Sequence, residues 1–353
     1  MSAAHELHKR VAFVGAGAMG SYVGARIAAT GVDVTLIDPW PEHVASIKRH
    51  GVRLSGTQGI ATVPVKALHI HEVQSLASQP VDIAFVSVKS YDTEWATMLI
   101  KPYLTPQGFV VSLQNCINEE RIAAIVGWGR TLGCIASTIG VNVDEPGAVV
   151  RTYKPGGTAY TVFRVGEVHG RMTPRVAQLA RMLNAVDSTE ITSDLWGERW
   201  SKLAANSMHN GLAAATGLGH VGVYGQPRPR RIAIRLGGEA VRVGRALGFN
   251  LESIRGIPAD ALDAAAHGDG SALGKVEDVI AGWMTRMTDE GRPSTAQDVR
   301  KGRRTEIDFI NGTVIAKAEE VGIPVPTQRA LLKIVKRVES GEIAPAVENI
   351  AEL

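Results

Sequence analysis

The chain has 353 residues, enough for two domains at about 150 residues each, and 45% of them are hydrophobic against 21% charged, which excludes global disorder. Lys plus Arg number 38 and Asp plus Glu 35, a formal charge of +3 that excludes an obligate nucleic-acid binder, and no basic stripe alters that. No apolar run approaches the ~18 to 20 residues of a membrane span, and Met1–Arg10 lacks the apolar centre of a signal peptide. Two cysteines, Cys116 and Cys134, provide no disulfide framework and fit a reducing compartment, so a cytoplasmic protein is expected.

In chain order, Val11–Val14 reads as a short strand, Gly15-Ala16-Gly17-Ala18-Met19-Gly20 as a Gly-rich turn, and Ser21–Thr30 as an Ala-rich helix ending at Gly31. Val32–Ile37 alternates as a second strand, with Asp38 at its end. This is a βαβ unit carrying G-x-G-x-x-G in the right context. The first Gly makes the tight turn, the second admits a pyrophosphate to the backbone, and the third lets helix pack on strand, while the helix N-terminus offers free N–H groups. Asp38 stands where an acidic residue binds the adenosine ribose hydroxyls, and a carboxylate there repels a 2′-phosphate, so NAD is favoured and NADP remains open. The alternative is a strand-end turn Asp before Pro39; Arg49 and Arg53 lie nearby, but nothing in the sequence brings them to a phosphate.

Val81–Val88, Phe109–Leu113 and Thr131–Ser137 read as further strands separated by helices. That alternation predicts an α/β fold, an N-terminal Rossmann-type, mostly parallel sheet. Lys89 and Asn115 follow two of these strands, where ligands bind in open α/β sheets, although a solvated lysine and a turn asparagine read equally well. Asp187–Asp194 is a candidate hinge, and a helical pattern runs from about Asp194 onward. The expected domains are a dinucleotide-binding domain, 1–190, and an all-helical substrate-binding domain, 191–353.

Within a long amphipathic segment, Trp196–Gly217, residues Lys202, Asn206 and Asn210 recur every four positions and share one helix face, since each step drifts only about 40°. They form either a solvated stripe or a pocket lining; two Asn residues favour the pocket, because Glu and Lys make better exposed helix. Arg228, Arg230, Arg231 and Arg235 read as the solvated start of a helix. Ser294 and Gln297 have the spacing of a capping box, and Glu306 reads as an acidic residue in a helix's first turn. Histidine and cysteine spacing suggests no catalytic metal.

Taken together, Gly15–Gly20, Val88-Lys89, Leu113-Gln114-Asn115, Lys202-x-x-x-Asn206-x-x-x-Asn210, Pro293-Ser294 through Asp298 and Thr305-Glu306-Ile307-Asp308 resemble the 2-dehydropantoate 2-reductase (ketopantoate reductase) family over nearly the whole chain. The resemblance implies an oxidoreductase with a nicotinamide cofactor, usually NADPH, on the Rossmann domain and a helical domain that closes over a small 2-oxo acid. It implies that Lys202 is the general acid, that Asn206 and Asn210 orient the substrate, that Ser294 holds its carboxylate and Glu306 its hydroxyl, and that Lys89 and Asn115 lie at the cofactor–substrate junction. The expected assembly is a homo-oligomer, a dimer, with no nucleic-acid or membrane partner. Three departures stand out: Asp38-Pro39-Trp40 replaces the basic residue common near the second strand's end, Cys116 replaces a glycine, and Ile254–Glu290, with His267-Gly-Asp-Gly270, is long. The substrate therefore need not be ketopantoate. A 3-hydroxyacid or opine-type dehydrogenase and a non-catalytic dinucleotide sensor are the alternatives.

Overall fold

The computed structural model describes residues 9–251, 253–285 and 292–353. They form two compact units, which divide between Leu195 and Trp196.

The first unit is built on β1 (Arg10–Val14), α1 (Ala18–Ala28), β2 (Asp33–Asp38), α2 (Pro41–His50), β3 (Val52–Gly56), β4 (Ala61–Val63), β5 (Lys66–His69), β6 (Val81–Val86), α3 (Thr93–Ile100), β7 (Leu104–Ser112), α4 (Glu119–Val126), β8 (Thr131–Ala136), β9 (Val141–Glu145), β10 (Ala148–Arg151), β11 (Phe163–Glu167), α5 (Pro174–Asn184) and β12 (Thr189–Ile191). Eight strands make the main sheet in the order β12-β11-β8-β7-β6-β1-β2-β5, and every neighbouring pair is parallel except β8 with β11. The sheet is thus mostly parallel with flanking helices, as the alternation predicts. Parallel strands covered on both faces must be apolar on both sides. Val11 to Val14 are accordingly all buried, and Phe13 stacks on Phe85 of β6 with ring centroids 4.4 Å apart. A second sheet, β4-β3-β10-β9, has no counterpart in the sequence reading; its strands are short, three to five residues, and its edge strands β4 and β9 are mostly exposed or half-buried, so they lack the apolar runs that mark the main sheet.

The chain reverses direction across the main sheet at β1. β2 pairs on one side of β1 and β6 on the other, which makes the carboxyl ends of β1 and β6 the topological switch point. Within Asp187–Asp194, the candidate hinge, residues 189–191 form β12, paired in parallel with β11, and Asp187 is only 6% exposed. The polar string that suggests a linker is instead spent on internal hydrogen bonds. Asp187 accepts from the backbone N–H of Gly156 at 2.9 Å and of Ser188 at 2.8 Å, and pairs with the buried Arg151.

The second unit contains α6 (Leu195–Thr216), α7 (His220–Gly225), α8 (Pro227–Ala246), a hairpin of β13 (Ser253–Ile254) and β14 (Ile257–Pro258), α9 (Ala259–Ala266), α10 (Gly270–Met284), α11 (Ser294–Arg300), α12 (Ile307–Val321) and α13 (Pro326–Glu339). Small residues let α6 and α8 approach closely. A Cβ on Gly237 would lie 2.8 Å from Met208 Sδ, and one on Gly244 2.2 Å from Trp200 Nε1, which donates to Ala240 O at 2.8 Å. A buried polar network binds α12 and α13 to these helices. Asn311 donates to Ser207 O (3.2 Å) and Gln328 Oε1 (2.7 Å), and buried Glu239 caps α13 by accepting from Thr327 N and Gln328 N, each at 3.0 Å. The segment expected to be unusual, 254–290, is the hairpin with α9 and α10; Asp269 of the His-Gly-Asp-Gly run caps α10 through Ala272 N at 3.0 Å, and 286–290 lie outside the described residues.

Candidate active site

Steric demands shape the Gly-rich turn in the first unit at two of its three glycines. Gly15 adopts φ +97, its N–H donates to Ile37 O at 2.9 Å, and a Cβ there would strike Val88 N at 2.8 Å. At Gly20 a Cβ would sit 2.1 Å from Gly15 O, so α1 can leave the turn at this angle only with glycine. Gly17 is the opposite case: a Cβ would meet nothing within 4 Å, so no protein atom demands its absence. Gly17 is also the N-cap of α1, and no side chain caps that end. An open glycine before an uncapped helix N-terminus is the arrangement a pyrophosphate fits. Ala16 lies in the turn, and Ala18 and Met19 are the first residues of α1.

Asp38 ends β2 beside this turn. Its Oδ1 accepts from Trp40 N at 3.0 Å. Burial pushes its carboxyl above the usual range, opposed by hydrogen bonds from the Trp40 and Ala16 backbones and by His43 and His69. Of the nearby cations, Arg53 pairs with Glu145 and Lys48 with Glu72, while Arg49 Nε donates to Ala45 O at 3.3 Å. Each of these cations therefore has a partner within the chain.

Lys89 and Asn115 come to the same edge, following β6 and β7, and both are half-buried. The turn after β7 is anchored by Gln114, which donates to Val88 O and Thr93 Oγ1 at 2.9 Å each, and by Asn118, which donates to Asn115 O at 2.9 Å. Cys116 is buried with φ +66, in the left-handed region that favours glycine.

In the second unit, Lys202, Asn206 and Asn210 lie on α6; the first two are half-buried and Asn210 is buried. They are therefore not a fully solvated stripe. Ile307, at the start of α12, reaches the turn of α6 beyond Asn210: a Cβ on Gly211 would be 3.0 Å from Ile307 Cδ1. Glu306, the residue before it, is only 3% exposed. It is the N-cap of α12 and makes no side-chain cap hydrogen bond, so it does not sit in the first turn as the sequence reading has it. Ser294 is likewise not a cap. Pro293 holds the N-cap position of α11, Ser294 is the first helical residue, and Gln297 turns back to donate to Arg292 O at 3.0 Å. The expected capping box is absent because proline already supplies the extended conformation that precedes the helix. Arg292 donates to Gly217 O, bringing this segment to the end of α6.

His209 has no place in the sequence reading. Seven residues beyond Lys202, it returns to within about 20° of the same helix direction. It is fully buried and stacks with His220 (4.2 Å between ring centroids) and Tyr224 (5.1 Å). Among the described residues neither of its ring nitrogens has a hydrogen-bond partner. Burial holds His209 well below the usual histidine range, with His220 and Arg255 adding to the effect, and brings His220 down to about 4. The only sequence signal for it is its register with Lys202. The arginine-rich start of α8 is partly spent as well, Arg230 pairing with Glu277 at 3.0 Å.

Comparison with known proteins identifies the family. Residues 11–164 match the family described as Ketopantoate reductase PanE/ApbA, and residues 194–339 match Ketopantoate reductase PanE/ApbA C terminal. A 2-dehydropantoate 2-reductase of Archaeoglobus fulgidus is 32% identical over 334 residues, 94% of this chain and 99% of the relative. The crystal structure of a PanE/ApbA family ketopantoate reductase from Ralstonia eutropha superposes with a TM-score of 0.76 at 28% identity, covering 94% of this chain and 99% of that one. D-mandelate dehydrogenase, in a ternary structure with NADH and anilino(oxo)acetate, shares the fold at a TM-score of 0.77 and 21% identity, with 94% of this chain and 98% of that chain covered.

Proposed function

The chain belongs to the ketopantoate reductase family of oxidoreductases, and from that premise we propose that it moves hydride between NAD(H) and a small 2-oxo acid or the matching 2-hydroxy acid of ketopantoate/pantoate type. The observation that carries the cofactor half is Gly17, open and uncapped at the start of α1, with Asp38 beside it. Gly15 to Gly20 hold the pyrophosphate, Asp38 the adenosine ribose, and Lys89 and Asn115 the nicotinamide end. The Asp38 carboxylate disfavours a 2′-phosphate.

The bound nicotinamide supplies or accepts the hydride; the rest of the chemistry falls to the second unit. Lys202 protonates the ketone oxygen as negative charge develops there, an interaction strongest in the transition state. Asn206 and Asn210 orient the substrate, Ser294 donates to its carboxylate, and Glu306 accepts from a hydroxyl beyond the keto group. Among the described residues no helix is long and apolar enough to cross a membrane. A cytoplasmic homodimer completes the proposal, the dimer being checked by sedimentation.

The test is a panel of aliphatic, hydroxylated and aryl 2-oxo acids, with their 2-hydroxy counterparts, assayed with NADH/NAD and NADPH/NADP by absorbance of the reduced nicotinamide. Turnover of a hydroxylated 2-oxo acid with higher kcat/KM for NADH than NADPH is expected. A higher value with NADPH overturns the cofactor choice, and no turnover of any 2-oxo or 2-hydroxy acid overturns the activity.

A further inference from the structure

Beyond Asp38 the chain presents a feature that the cofactor reading leaves unused. Trp40 is 39% exposed, a large apolar side chain turned to the surface at the carboxyl edge of β2. It is nevertheless held in place. Its backbone N–H donates to Asp38 Oδ1 at 3.0 Å, Pro41 follows it as the first residue of α2, and Pro39 O is engaged by His69 Nε2 at 2.9 Å. The indole lies on the ring of His43, with centroids 5.1 Å apart and planes within 10°.

His43 is itself fixed. Gly147 N–H donates to its Nδ1 at 3.0 Å, so the proton is on Nε2, which faces Ser21 Oγ at 3.1 Å. Ser21 Oγ in turn donates to Ala16 O at 2.6 Å, inside the Gly-rich turn. Burial holds the ring below the usual histidine range and both nitrogens are occupied, so His43 is a neutral support and not a cation for phosphate. The pile Trp40–His43–Ser21–Ala16 thus ties an exposed aromatic face to the turn that would carry the pyrophosphate. The adenine of a dinucleotide hangs from the same ribose whose hydroxyls Asp38 would bind, so it must come to rest just past the end of β2. A rigid aromatic face at that place suits a base, because every base has a π-face and stacking needs no particular substituent.

We propose that the exposed face of Trp40 is the platform on which the adenine of the dinucleotide stacks, a binding role in which this chain uses an aromatic surface where a charge would read the 2′-phosphate. This rests on the reading that Gly15–Gly20 and Asp38 hold a nicotinamide dinucleotide. It predicts a division of labour: Trp40 sets affinity for the adenosine half whatever the 2′ substituent, and Asp38 alone sets the choice between NADH and NADPH.

The test uses the full-length protein and its tryptophan emission. ADP-ribose and 5′-AMP should quench a component of the emission that is missing in Trp40→Phe, while nicotinamide mononucleotide should not. Trp40→Ala should weaken ADP-ribose, NADH and NADPH together, by about 5- to 150-fold in Kd, as expected for loss of one base–aromatic stack. Trp40→Phe should recover most of that loss, which shows that a ring is needed and that the fold has survived. Asp38→Ala should change the NADH/NADPH ratio, which Trp40→Ala leaves alone. If Trp40→Ala binds ADP-ribose as tightly as wild type, the platform is wrong and the dinucleotide reading stands. If wild type binds neither NADH nor NADPH, both are overturned.

Discussion

Replacing Asp187 by alanine should destabilise the first unit severely although the residue is far along the chain from the candidate site residues of that unit. Asp187 and Arg151 have side chains 1% and 0% exposed, and they form a direct ion pair. Arg151 also donates to Tyr22 Oη and Tyr153 O, each at 2.8 Å, and lies over the Tyr22 ring, its carbon 5.4 Å from the centroid. Burial disfavours its charge, but the hydrogen bonds to Tyr22 and Asp187 outweigh that and hold it above the ordinary arginine range. Without Asp187 a guanidinium remains in the interior with only neutral acceptors, and Gly156 N and Ser188 N lose theirs. Breaking a buried pair from one side costs about 3–5 kcal/mol. At roughly 2–4 °C per kcal/mol for a unit of this size, the melting temperature should fall by about 6–20 °C. Urea unfolding and thermal melts of Asp187→Ala, Arg151→Met and the double variant would measure it. The double variant should recover much of the loss, because two apolar residues leave no uncompensated charge. An Asp187→Ala protein within about 1 kcal/mol of wild type, or a double variant no better than the worse single one, would refute the reasoning.

Lys202→Ala should lower kcat by about 10² to 10⁴ while NADH binding and the melting temperature stay near wild type; a kcat within a few-fold of wild type removes the lysine from the mechanism. Glu306→Gln, which keeps the size of the side chain, should leave stability nearly unchanged and should cut kcat/KM at least about tenfold for a hydroxylated 2-oxo acid but far less for one without the hydroxyl. Equal losses on both substrates, with a lowered melting temperature, would make Glu306 structural. The His209–His220 stack predicts acid sensitivity. Both rings are neutral when folded, so the unfolded chain binds protons first as pH falls; stability is complete above about pH 6.5 and is lost towards about pH 4, where His220 itself titrates. His220 alone accounts for about 2–3 kcal/mol of that loss after allowance for its partial exposure, so His220→Gln should flatten the decline of melting temperature over this range. An unchanged slope would contradict it.

The first βαβ unit was legible in the sequence because its signals are local. β1, the glycine turn, α1 and the acidic strand end follow within one short stretch, and each step is dictated by nearest-neighbour sterics and apolar pattern. The shared face of Lys202, Asn206 and Asn210 was legible for the same reason, since helical periodicity alone puts them together. The second sheet, the locking of Asp187 and the caps of α11 and α12 were not. A polar string such as Asp187–Asp194 looks like a linker, but its first residue is buried against Arg151, a partner distant in sequence, and Ser294 looks like a cap until Pro293 takes the position. His209 shows the same limit: its register with Lys202 is written in the sequence, but its stacking on His220 and Tyr224 depends on how α7 folds back against α6. Local chemistry was set by composition and spacing; which polar groups are buried, and against what, was decided by long-range packing, because desolvation is a property of the whole neighbourhood and not of the residue.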